Sequence, residues 1–188
     1  MIPFLGDYSR SLILADLERE LGVKHQTAKR YADMLVKNRI LTEERKPKNL
    51  IYGINKGNTL VMSFISGAES IVRDDALRRS ILLKRLYEML SPYMMEAGFL
   101  VFGSSASGRV GEDIDLLVAL DTTSNTNLAG LRDSISRFEK TYGKKVHAVE
   151  VNNFGASAAL IREIIKKHVI FNRFDAFTSW FWEFTWKK

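Results

Sequence analysis

Two aspartates one residue apart, Asp113 and Asp115, follow a Gly103-Ser104 step with eight residues between. Carboxylates at i and i+2 of a strand project to the same face. Held there, they can share one or two divalent cations. Hard oxygen ligands suit magnesium, which keeps waters and bridges to substrate phosphates; manganese accepts the same donors. A Gly-Ser turn after a strand offers backbone N–H groups and a hydroxyl to a phosphate, and glycine allows the backbone to come close. Gly103, Ser104, Ser105 and, further on, Arg109 are therefore the candidate phosphate contacts. Carboxylate pair and phosphate cradle together describe metal-assisted transfer of a phosphoryl-type group.

The elements that would position these residues can be read around them. Phe99-Leu-Val-Phe102 reads as a short buried strand ahead of the turn, and residues 114–120 as a second. A polar loop covers 121–127. Residues 128–142 carry helical spacing at Leu131, Ile135 and Phe138, and Gly143 ends them. A third strand is expected over 146–151 and a helix over 156–168, with Leu160, Ile161, Ile164 and Ile165 inward. This succession predicts an α/β (α+β) domain with a small mixed sheet flanked by helices. On the third strand, Glu150 is the only carboxylate; His147 lies on that strand with the opposite parity.

Ahead of this unit, residues 56–97 read as helical. One apolar stripe holds Leu60, Val61, Phe64, Ile65, Ala68, Ile71 and Val72, and a second runs from Leu77 to Met94. Arg73-Asp74-Asp75 either separates two helices or lies within one, and Pro92 should end the helix near it. Residues 12–21 read as a short helix closed by Gly22, and 25–38 as a second with Ala28, Tyr31, Met34 and Leu35 on one face. A charged turn over 42–49 and a returning strand over 50–54 follow. Helix, turn, helix and basic hairpin are the order of a winged helix-turn-helix. In that setting Gln26 and Arg30 are candidates to read base edges of duplex DNA. Lys24, Thr27 and Lys29 would hold phosphates, with Arg45, Lys46 and Lys48 in the wing. The division expected is 1–56 winged helix-turn-helix, 57–97 helical connector and 98–188 catalytic-type domain.

Composition narrows the field. The 188 residues carry a net charge of +6, and residues 1–60 hold 11 Lys/Arg against 7 Asp/Glu, so the basic excess lies mostly in front. There are no cysteines and only three histidines, which excludes disulfides and thiolate metal sites and disfavours a histidine-rich zinc site. The start lacks a signal-peptide pattern and no apolar run is long enough to span a bilayer, so a cytoplasmic protein without a membrane span is expected. Eight aromatic residues crowd into 171–186. They are expected to pack back on the core as a helix or strand; the other reading is a homo-oligomer or partner face.

Phe102-Gly-Ser-Ser-Ala-Ser-Gly108 followed by Glu112-Asp-Ile-Asp-Leu-Leu-Val118 resembles the minimal nucleotidyltransferases of the DNA polymerase beta superfamily, over about residues 78–170. The winged helix in front resembles archaeal two-part proteins of this kind. The resemblance implies that Asp113 and Asp115 hold magnesium and that Ser104 and its neighbouring amide grip a nucleoside triphosphate. An acceptor hydroxyl would then take the nucleotidyl group and pyrophosphate would leave. Many relatives have Arg where Ser107 stands, and the family places a third carboxylate on the third strand, where Glu150 is available. The acceptor implied is either a protein, such as a cognate toxin in antitoxin relatives, or a small molecule, as in antibiotic-modifying ones. The alternative is a DNA-binding regulator whose degenerate domain only binds or senses nucleotide.

Overall fold

Gly22 sits in the left-handed region at φ 62° and ends helix α1 (Leu14–Leu21), turning the chain into α2 (His25–Lys37). Glycine takes that conformation without a Cβ penalty, which makes it the usual helix terminator. The computed structural model describes residues 1–107, 111, 113–120 and 128–186. Leu12 and Ile13, expected to be helical, form strand β1 (Leu12–Ile13) instead. The Asp16 carboxylate accepts the Ile13 N–H at 3.2 Å, which starts α1 one residue later. Strands β2 (Leu41–Arg45) and β3 (Leu50–Ile54) form an antiparallel hairpin, and the sheet order is β1-β3-β2. Leu17, Ala28, Ala32, Ile40, Leu41 and Tyr52 are buried beneath it.

Two helices follow, α3 (Leu60–Arg79) and α4 (Ile81–Leu90). They part at Ser80, whose hydroxyl accepts the Leu83 N–H at 3.3 Å, so Arg73-Asp74-Asp75 lies within α3. Helix α4 ends two residues before Pro92, where the missing N–H of proline stops it.

The second sheet contains β4 (Ala97–Phe102), β5 (Asp113–Leu120), β6 (Lys145–Asn152) and β7 (His168–Ile170), in the order β6-β5-β4-β7. β4 runs antiparallel to both β5 and β7, while β5 is parallel to β6 through α5 (Leu128–Tyr142). The sheet is thus mixed and the fold is α+β. Helix α6 (Ala158–Lys166) is shorter than the expected 156–168, because His168 turns into β7 and pairs with Phe102. The last helix is α7 (Phe174–Trp186).

Each face of this sheet is covered. Phe99, Val101, Ile114, Leu116 and Val118 share a core with α4 and α5. Leu100, Phe102, Leu117 and Ala119 share one with α6, α7, the start of α3 and the front of the chain. The aromatic run packs back on this second core: Phe177 and Phe181 are buried, and the Tyr8 and Trp182 rings lie 6.1 Å apart. Two apolar stripes are only partly covered. Tyr31 and Met34 of α2, and Leu60, Phe64 and Ile71 of α3, are exposed, because among the described residues no element covers that flank. No helix among the described residues is long and apolar enough to cross a membrane.

Candidate active site

β4 delivers the chain to Gly103 at the point where β5 begins, since Phe102 is in register with Asp115. Gly103 has φ 67°, and a Cβ there would stand 2.9 Å from Asp115 Oδ2. Only glycine lets the backbone turn and press against that carboxylate. The Gly103 N–H donates to the Lys167 carbonyl at 3.2 Å, so the junction of α6 and β7 anchors the turn.

Asp113 and Asp115 project to one face of the sheet, with Asp113 exposed and Asp115 half-buried. On the neighbouring strand His147 is in register with Asp115, and Lys145 with Asp113. Across the sheet the row therefore reads His147, Asp115, Phe102, His168. His147 Nε2 lies 3.5 Å from Asp113 Oδ2. Lys145 was not singled out from the sequence; its shared parity with His147 was the available signal.

The other expected residues fall out as follows. Ser104 is exposed on the turn that follows Gly103. Ser105, expected to contact nucleotide, is fully buried and its hydroxyl donates to the Asp113 carbonyl at 2.9 Å. It ties the turn to the first residue of β5 and has no surface left for a ligand. Arg109 lies outside the described residues. Glu150 is not brought to the aspartates. It is in register with Val118, on the opposite face of the sheet, and pairs with Arg132 of α5 at 2.9 Å. Its parity difference from His147 decides this, since side chains alternate faces along a strand.

Among the described residues no three His, Asp or Glu side chains converge into a preformed ligand set. The donors present still fit a hard cation that takes two carboxylates and completes its shell with water and substrate phosphate.

Behind the site lies a buried ion pair that sequence reading missed. His168 Nδ1–H donates to the Ile164 carbonyl at 2.9 Å, and its Nε2–H to Glu69 of α3 at 3.0 Å. Burial pushes the imidazole pKa down, but the Glu69 charge and hydrogen bond, with the Ile164 and Ile165 carbonyls, push it further up, so the net shift is upward.

On the front module, Lys24 is exposed just ahead of α2, Gln26, Lys29 and Arg30 are exposed on it, and Thr27 is half-buried. Lys29 pairs with Asp33 at 2.7 Å. Arg45, Lys46 and Lys48 are exposed on the hairpin, with Lys46 paired to Glu44.

No family model and no curated protein matches this sequence. Similar solved structures include the tri-AMPylated Shewanella oneidensis HEPN toxin in complex with MNT antitoxin, 13% identical over 54% of this chain and 78% of that one, with a TM-score of 0.39. A toxin–antitoxin structure with AMP-PNP is 15% identical over 54% and 82% of the two chains, at 0.39. The toxin–antitoxin pair MntA–HepT is 14% identical over 54% and 79%, at 0.38. These likenesses are distant, and the reading of the site rests on its own geometry.

Proposed function

We propose that the chain is a metal-dependent nucleotidyltransferase, moving a nucleotidyl group from a nucleoside triphosphate to an acceptor hydroxyl. The observation that carries this is the seat of Gly103 against Asp115, where a Cβ would be 2.9 Å from the carboxylate. It joins the phosphate turn and the carboxylate pair in one place. Asp113 and Asp115 would hold magnesium or manganese, which when bound would neutralise charge on the entering and leaving oxygens. The Ser104 amide and hydroxyl would hold the triphosphate, next to the Gly103 turn whose own N–H is bound to the Lys167 carbonyl, and Lys145 would add positive charge beside Asp113. The acceptor oxygen would bond to the α-phosphorus as the bond to the β-phosphate oxygen breaks, releasing pyrophosphate. The acceptor is a protein, such as a cognate toxin, or a small molecule. The front module, over 1–56, is read as a winged helix-turn-helix for duplex DNA, joined by 57–97 to the transferase unit over 98–188.

A second reading is favoured by Glu150, which faces away from the aspartates, and by His147, which stands beside Asp115 on the third strand. With two carboxylates, the site would bind and sense nucleotide for a DNA-binding regulator. The two readings separate on incubation with each α-labelled nucleoside triphosphate, magnesium and cell extract as the acceptor source. Label transferred by the wild type and not by Asp113→Asn with Asp115→Asn supports the transferase. Nucleotide bound but never transferred supports the sensor.

A further inference from the structure

The flank formed by α2 and α3 is an open groove of about 640 Å³, lined almost wholly by apolar side chains. Ile2, Tyr31, Met34, Phe64 and Ile71 line it, and Leu60 extends it one turn along α3; each is 41–59% exposed. Six large side chains exposed to this degree present roughly 600 Å² of apolar surface, at the upper end for a monomer. A standard interface covers about 800 Å² per partner, and homodimer interfaces are about 65% apolar. The patch therefore supplies the apolar part of one such interface.

The sequence along α3 says which occupant fits. Its outer stripe is the exposed Leu60, Ser63, Phe64, Gly67 and Ile71 with the half-buried Ser70, and Asp74 and Arg78 form a polar rim. At the centre, a Cβ on Gly67 would meet nothing within 4 Å, so the helix backbone is open to close approach. A two-fold axis at Gly67 would bring residue 67−k opposite residue 67+k of the other copy. Phe64 then faces Ser70, and Ile71 faces Ser63, large against small in both directions. The Ser70 hydroxyl already donates to the Gly67 carbonyl at 2.9 Å, so covering it orphans no donor.

We propose that this surface is the interface of a two-fold homodimer in which α3 crosses α3 of a second copy antiparallel at Gly67. The aromatic C-terminal segment, with its buried Phe177 and Phe181, is not that interface.

The chain has no cysteine, which makes the test direct. Sedimentation of the full chain at micromolar concentration should give twice the 21.4 kDa chain mass. Gly67→Gln meets no obstacle within one copy and improves helix propensity, so with both proteins diluted to monomer its melting temperature should not fall below that of the wild type. It should nonetheless weaken the dimer at least tenfold. Gly67→Cys should oxidise to a covalent dimer, because the axis puts the two thiols within disulfide reach. Lys84→Cys, exposed on α4 away from the groove, should not. A monomer at 100 µM would overturn the proposal, as would a dimer unaffected by Gly67→Gln with no Gly67→Cys cross-link. A monomer that takes up an apolar dye in the groove would assign the groove to another occupant and overturn it equally.

Discussion

At the scale of single residues, the site depends on one missing Cβ and two carboxylates. Gly103→Ala would place a methyl 2.9 Å from Asp115 Oδ2 at a positive φ, a conformation that costs an L-residue about 1–2 kcal/mol. Chemical denaturation should register a loss of at least that size, and nucleotide binding should weaken with it. Replacing both Asp113 and Asp115 by Asn should lower magnesium-dependent transfer on the order of 10³-fold with the circular dichroism spectrum unchanged. Unaltered transfer would remove both residues from the site. That Gly103 and the two aspartates come together was legible, because a strand–turn–strand with local spacing returns the chain to the same place. Ser105 was not, since a serine next to a phosphate turn and a serine that braces it have the same sequence signature. Burial alone tells them apart. The placement of Glu150 could be half-read: its parity differed from that of His147, but only the register of β6 against β5 shows which of the two stands beside the aspartates.

At the scale of elements, most helices announced themselves by periodicity, and α5 spans the expected residues. β7 did not, because His168-Val-Ile170 follows α6 with only Lys167 between and no turn residue to mark a break, and three residues are too few for a period-2 signal. The apolar stripes of α2 and α3 were legible, yet a stripe records only that a face avoids water, not that the same chain covers it. Helix α2 also carries a polar face with exposed Gln26, Lys29 and Arg30, separate from its apolar flank. On the winged-helix reading, Lys29→Ala with Arg30→Ala should weaken duplex DNA binding and reduce the slope of log K against log salt by about 1–2. A wild-type protein without salt-sensitive DNA binding would exclude that role for the helix.

At the scale of the whole molecule, the Glu69–His168 pair ties α3 to the sheet edge and lies one hydrogen-bonded step behind the Gly103 turn. Burial, and then the Glu69 carboxylate, push the Tyr8 phenol pKa upward, so it stays neutral beside the pair. His168 is raised above 6.5 in the folded state. Its contribution to stability is therefore complete below pH 6.5 and is lost as pH climbs through the folded-state value. An NMR titration should find the His168 ring still protonated above pH 6.5, and the urea midpoint should fall as the ring deprotonates. A ring that titrates below 6.5 would refute the assignment. Removing one partner of so buried a pair should cost about 3–5 kcal/mol, so Glu69→Ala should unfold at markedly lower urea. A chain cut before α7 would lose buried Phe177 and Phe181, and should aggregate rather than merely change its oligomeric state.

The contact between Tyr8 and Trp182 carries a further consequence for how the molecule is made. Phe4 and Tyr8 share one core with Phe177 and Phe181, so these sequence-distant segments must wait for α7 to be made before their apolar surface is covered. Such sequence-distant closure is slow relative to local helix formation. During synthesis the front hairpin and α1–α2 would stand incomplete, and holding chaperones would meet Phe4 and Tyr8 before α7 does.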